Sequence, residues 1–214
     1  GESANTFGFS EQVDWGGGGA LLTNLTAYYR LDNSSGDIYD MTRNYDGDNH
    51  GGLQGQDGII NDGVKFEEIG SDYLYNFNIP LAQQADNFTV SVWLNSTDLT
   101  GIHRAVSRLT STAGNSRFNI FTLDDKLTIL QHRVGGVISL TGTTVLPEDE
   151  WYHVVFVSND TGITGYLDGV KEMGGTATGG HHSFADQGVY IGAMYYGGAI
   201  QVDRWEGNID EVGF

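Results

Sequence analysis

The chain of 214 residues contains no cysteine, two prolines and three lysines, and no apolar run in it approaches the roughly 20 residues that span a membrane as a helix. Without cysteine there is no disulfide framework, no thiol nucleophile and no thiolate-held zinc. At this length the core is large enough to need no covalent staple. The missing disulfides argue against a typical animal secreted domain. The scarcity of lysine belongs to a wider imbalance: 10 basic residues stand against 28 acidic ones, a formal charge of −18. Such a field repels nucleic acid and anionic membrane surfaces, so neither is expected as a partner, and membrane insertion is not expected either. Asp outnumbers Glu 19 to 9, which suits a halophilic or saline setting and equally an acidic extracellular domain from an ordinary marine source. No segment has the basic start and apolar stretch of a secretory leader. The opening Gly1-Glu2-Ser3 leaves room for a leader or further domains upstream.

What the chain has in abundance is glycine, 32 residues, alongside many Thr, Val, Ile, Tyr and Phe. That mixture suits short strands joined by tight turns. Residues 1–19 read as a tail or linker that ends in four glycines, Gly16 to Gly19, with Phe7, Phe9, Val13 and Trp15 before them. Residues 20–214 read as one domain. Leu25 to Asp32 is an expected strand, and 33–58 is polar and mostly loop. Phe88 to Asn95 alternates cleanly, with Phe88, Val90, Val92 and Leu94 on one face. Leu81 to Asp86 is read as one helical turn. From Tyr152 the sequence YHVVFVSNDTGITGYLDGVK sets two β-rich runs around Ser158–Gly162 and stops at Asp168-Gly169, a hairpin signal followed by a second tight turn. About a dozen short strands and no long helix point to an all-β, antiparallel two-sheet sandwich.

The order of these pieces resembles one family. LTAYYRLDNSSGDIYDMTRN, DGVKFEEIGSDYLY, NFTVSVWLN, LPEDEWYHVVFV, GYLDGV, VYIGA and GNIDEVGF follow one another as the strands of laminin G-like jelly rolls do. The chain is therefore identified as a member of the concanavalin A-like lectin/glucanase superfamily, from Leu21 to Phe214. It departs from the usual pattern at Arg43, where the family has Gly before Asn44, and in the acidic stretch 45–52. The resemblance implies a concanavalin A-like jelly roll with Leu25–Leu31 beside Ile209–Phe214. It also implies core positions for Trp93 and Trp151.

The sequence offers residues for three kinds of site. Asp40, Asn44 and Asp210 are candidate ligands for a structural Ca2+, with Asp46 or Asp48 as substitutes, because hard cations take loop carboxylates and carbonyls. Against this, Asp and Asn in such loops often only form Asx turns. Catalysis has little support. The alternating Glu/Asp triad of the glucan-cleaving relatives is absent, Glu148 and Glu150 lie in a turn, and His153 reads as a core histidine. Recognition is favoured. His181, His182, Tyr195, Tyr196, Asp203 and Trp205 combine stacking rings with short polar groups in two late, Gly-rich segments, although Trp205 also reads as core. Two readings stay ahead of an enzyme. One is a non-catalytic adhesion or carbohydrate-binding module of a larger multidomain protein, extracellular or on a cell or virion surface, with a glycan or surface protein as partner. The other is a spacer or assembly domain that contacts protein only. Sequons at Asn24, Asn33, Asn87, Asn95 and Asn159 permit glycosylation.

Overall fold

The computed structural model describes residues 25–214 apart from 71, 77–78, 80–86, 111–115, 178, 180–185, 197–198 and 201–202. The expected tail, and the helical turn at Leu81–Asp86, lie outside the described residues. The strands are β1 (Tyr28–Tyr29), β2 (Asp48–His50), β3 (Leu53–Asp57), β4 (Asp62–Phe66), β5 (Tyr73–Asn76), β6 (Phe88–Ser96), β7 (Ile102–Thr110), β8 (Ser116–Leu123), β9 (Lys126–Arg133), β10 (Gly136–Val145), β11 (Trp151–Asn159), β12 (Gly162–Leu167), β13 (Val170–Thr176), β14 (Asp186–Ile191), β15 (Tyr195–Tyr196), β16 (Ala199–Ile200) and β17 (Gly207–Gly213). An eight-stranded sheet runs β13-β12-β11-β6-β17-β4-β3, with β1 added on β17. A seven-stranded sheet runs β10-β9-β8-β7-β14-β5-β2. All sheet ladders are antiparallel. This is the two-sheet jelly roll that the sequence implies.

Strand alternation builds the core. Val90, Val92 and Leu94 of β6 are fully buried, as are Val154 and Phe156 of β11, Val64 and Phe66 of β4, and Phe118, Ile120 and Ile129 facing them from the other sheet. Each such aliphatic or aromatic side chain stabilises the fold by roughly 1.5–3 kcal/mol. Asp168 (φ 48°) and Gly169 (φ 77°) form the two-residue turn that pairs Leu167 with Val170. The left-handed pair matches the twist of its strands, which is why Asp-Gly serves there. The turn opens β13, a strand not anticipated from sequence. β1 pairs through Tyr28 with Gly213 and through Tyr29 with Val212. The chain ends are thus neighbours as expected, but the strand is shorter than Leu25–Asp32, because Leu31 turns out of it at φ 60°.

Two expectations about the core are corrected. Trp93 and His153 are cross-strand partners between the fully buried rows, so both project from the outer face of the eight-stranded sheet. Both are half-buried, with ring centroids 5.0 Å apart. Trp151 is half-buried as well. The family position predicts the strand correctly and the face wrongly, because one residue of shift exchanges inside for outside.

The two sheets meet along one side, where β10 and β13 approach. The Glu172 carboxylate of β13 accepts the N–H groups of Thr143 (2.6 Å) and Thr144 (2.8 Å) and the Thr144 hydroxyl (2.9 Å) from β10. These charge-assisted bonds hold its carboxyl below the ordinary glutamate range.

Candidate functional site

After β14 the chain leaves the seven-stranded sheet at Gly192 and folds across that sheet's outer face. Gly192 has φ 83°, and a Cβ there would lie 2.4 Å from Phe66 Cδ1, so the turn is closed to other residues. The Gly192 N–H donates to Ala105 O (2.7 Å), and the Ser107 hydroxyl donates to Ala193 O (2.8 Å). Asn119 Nδ2 donates to the sulfur of Met194 (3.3 Å). The hairpin β15–β16 follows. The returning chain is pinned by Arg104, whose backbone N–H donates to Asp203 O (3.2 Å) and whose Nε donates to Asp203 Oδ2 (2.6 Å). The Arg104 guanidinium also lies 5.1 Å from the centre of the Phe121 ring.

Beside this crossing segment stands a row of aromatic rings. Leu74, Val189 and Ile191 point into the core, so Tyr73, Tyr75 and Tyr190 point outward. Tyr190 pairs with Tyr75 on one side and Ser107 on the other. Ring centroids are 4.5 Å apart for His50–Tyr73, 5.8 Å for Tyr73–Tyr190, 4.5 Å for Tyr75–Tyr190 and 5.8 Å for Tyr190–Tyr195, the last pair stacked at 8°. The rings occupy much of one another's faces. The Tyr75 hydroxyl is itself buried, and the row is most open to solvent at His50. Tyr75 and Tyr190 are buried, Tyr73 and Tyr195 half-buried, and His50 exposed. Burial raises the Tyr190 phenol to about 12, against a lowering hydrogen bond with Tyr75, so it stays a neutral hydroxyl at physiological pH.

Of the six recognition candidates, the structure brings Tyr195 and Asp203 to this face. Tyr196 lies in β15, where only its backbone is described, and His181 and His182 lie outside the described residues. Trp205 is corrected. It is fully buried in the main core cluster, and its Nε1 donates to Asn208 O at 3.3 Å, so it cannot present a stacking face. Tyr73, Tyr75, Tyr190 and His50 were missed. The signal was present in DYLYN and GVYIG, where tyrosines flank or alternate with aliphatic residues.

The carboxylates proposed for calcium are engaged by hydrogen-bond donors. Asp40 Oδ1 accepts the N–H groups of Tyr28 (2.8 Å) and Thr42 (3.0 Å). Its Oδ2 accepts those of Asn44 (3.2 Å) and Tyr45 (3.0 Å) and the Thr42 hydroxyl. Asn44 Nδ2 donates to Thr42 O (3.1 Å). Asp210 Oδ2 accepts from Ile59 N (3.0 Å) and Ile60 N (3.1 Å), and its Oδ1 from Glu211 N (2.8 Å). The donors occupy both oxygens of Asp40, and three of them engage Asp210, which leaves little of either carboxylate for a cation. Asp40 is an Asx-type loop anchor, and Asp210 pins the turn after β3. Among the described residues, no three of His, Cys, Asp and Glu gather to hold a metal.

On the opposite sheet, Ser91 Oγ and His153 Nε2 are 2.7 Å apart. Burial lowers the pKa of the imidazole, with Asp168 opposing. Asp168 Oδ1, however, accepts the backbone N–H of His153 (2.8 Å). This carboxylate therefore anchors the strand and does not orient the ring as a triad's third member does.

A laminin G profile of the concanavalin A-like lectin/glucanases superfamily matches residues 69–214. No curated protein matches the chain. Among solved structures, domain 4 of an extracellular arabinanase from Geobacillus stearothermophilus, in complex with arabinotriose, is similar at TM-score 0.65 and 20% identity, over 88% of this chain and 90% of that one. A mutant sialidase of Trypanosoma rangeli displaying trans-sialidase activity is similar at TM-score 0.67 and 17% identity, over 90% of this chain and 30% of that one. The binding domain of botulinum neurotoxin serotype D is similar at TM-score 0.64 and 13% identity, over 88% of this chain and 46% of that one. This chain thus spans nearly all of the arabinanase domain and less than half of the sialidase and toxin chains. At these identities the likeness is one of fold.

Proposed function

The chain belongs to the concanavalin A-like lectin/glucanase superfamily, and from that premise we propose that it is a non-catalytic carbohydrate-binding or adhesion module of a larger extracellular or surface protein. The observation that carries this reading is the ring row on the outer face of the seven-stranded sheet: four tyrosines and His50, bordered by the Arg104–Asp203 pair. Sugars offer apolar C–H faces and many hydroxyls. A row of rings that is exposed at His50 and partly open at Tyr73 and Tyr195, with the polar Arg104–Asp203 pair beside it, suits both. The relatives add support, since a domain of nearly the same extent holds arabinotriose and others of this fold are named binding domains. Sugar recognition is thereby moved from the expected rim around Trp205 to the sheet face. The non-catalytic reading is supported by the missing carboxylate triad and by the unoriented Ser91–His153 contact.

The test is a glycan array that includes arabino-oligosaccharides, followed by calorimetry on Tyr195→Ala and Tyr73→Ala. Loss of one ring contact is expected to cost about 1 kcal/mol, close to tenfold in affinity. Wild-type protein that binds no glycan, or variants that bind as well as wild type, would overturn this site. One observation favours the second reading, an assembly domain: the uncharged edge of the seven-stranded sheet.

A further inference from the structure

We propose that β10 is a self-association edge, pairing antiparallel with the β10 of a second copy of this chain to make a two-fold dimer with one continuous sheet. Two sheets have four edges. β2 reads Asp48-Asn49-His50, β3 ends in Asp57, and β13 carries Lys171 and Glu172. Among the described residues, β10 (Gly136–Val145) is the longest strand at ten residues, and it contains no charged residue and no proline. Among the described residues only β9 pairs with it. Edge strands are ordinarily blunted by charge, proline or a bulge, because alternate residues turn unpaired N–H and C=O groups outward.

Here the bulge protects only half of the strand. The register with β9 is regular from Gly136 to Thr141 and shifts before Val145. In the shifted stretch Glu172 takes the N–H groups of Thr143 and Thr144. Among the described residues, no strand pairs with the outer side of Gly136 to Thr141. Ile138 and Leu140 pack against the core, while Val137 is 54% exposed and Ser139 and Thr141 are exposed beside it.

The occupant follows from charge and symmetry. Any contact between two copies that each carry −18 is opposed by repulsion, least where both surfaces are uncharged. The open segment is also its own complement. Antiparallel pairing centred on Ser139 sets Ser139 opposite itself, Val137 opposite Thr141 on the outer face, and Ile138 opposite Leu140 on the inner face. Every pair then joins residues that face the same side, as cross-strand packing requires.

The experiment is sedimentation equilibrium on the full chain in salt that screens the net charge, over roughly a hundredfold range of protein concentration. Wild type is expected to move from one to two chain masses. Ser139→Lys places like charges opposite each other while making the net charge less negative, so any long-range effect of the substitution favours association. It is expected to weaken dimerisation several-fold, with an unchanged melting curve at concentrations where both proteins are monomeric. Hydrogen exchange on wild type gives an independent reading: the amides of Val137, Ser139 and Thr141 should exchange more slowly at high protein concentration than at low. A wild type that stays monomeric, a dimer that Ser139→Lys does not weaken, or amides indifferent to concentration would each overturn the proposal.

Discussion

Asp40 is 2% exposed yet makes no ion pair among the described residues; it is held by four backbone N–H groups and a hydroxyl. Satisfied in this way, the carboxylate organises its loop from within. Melting curves of the wild type in calcium and in chelator are therefore expected to coincide. Asp40→Ala, which strands several buried donors, should cost about 3 kcal/mol or more in both conditions. Calcium that raises the melting temperature of wild type but not of Asp40→Ala would show that the carboxylate serves a cation instead. The importance of Asp40 was legible in the sequence, but its partner was not: Asp in a Gly/Asn-rich loop is the same signal for an Asx turn and for a metal ligand. Only the direction of the surrounding N–H groups separates the two. Trp205 misled for a related reason. Its neighbours Arg204 and Glu206 are polar, and polar flanks on both sides of a Trp do not reveal that the chain dives between the sheets for one residue.

Elements were read more faithfully than faces. The runs that became β6, β11, β12 and β17 were evident because alternation and Gly/Asn/Asp turns act locally, whereas β2, β3 and β13 were hidden in glycine-rich or polar stretches that are held as strands by their neighbours. β17 has a consequence for pH. Its register shifts between Asp210 and Gly213, Glu211 sits at φ 52°, and the Tyr28 hydroxyl donates to the Glu211 carboxylate. Burial raises the Asp210 carboxyl to about 6, against three lowering N–H bonds, and the Glu211 carboxyl to about 7. A raised carboxyl binds its proton more tightly in the folded chain. Its burial as an anion costs stability at high pH, and that cost vanishes as pH falls through the folded pKa towards the unfolded value near 4. These two groups are thus expected to make the protein more stable at pH 5 than at pH 8. Glu211→Gln, which keeps an acceptor for Tyr28, should be more stable than wild type at pH 8 and show a flatter profile. Denaturant titrations at a series of pH values decide this, and a Glu211→Gln profile that overlays that of wild type would refute it.

At the scale of the whole molecule, the dominant quantity is the charge of −18. Mutual repulsion among the carboxylates opposes the compact state and is screened over about 10 Å at 0.1 M salt, and over less at higher salt. The melting temperature is expected to climb by several degrees between dilute buffer and molar sodium chloride, and a fall over that range would contradict the electrostatic account. The same large-scale view joins two features that have so far stood apart. In the seven-stranded sheet the tyrosines of β14 and β5 lie towards one end, and the uncharged β10 forms the other. Five inter-strand steps of about 4.8 Å separate β10 from β5, so joining two copies edge to edge sets their ring rows roughly 50 Å apart. A two-fold axis perpendicular to the sheet keeps both rows on one side. On the two proposals made above, a polymer or a coated surface is gripped at two points at once, and the second grip is a local event at high effective concentration. Contacts too weak to hold singly would, taken in pairs, become a means of staying attached.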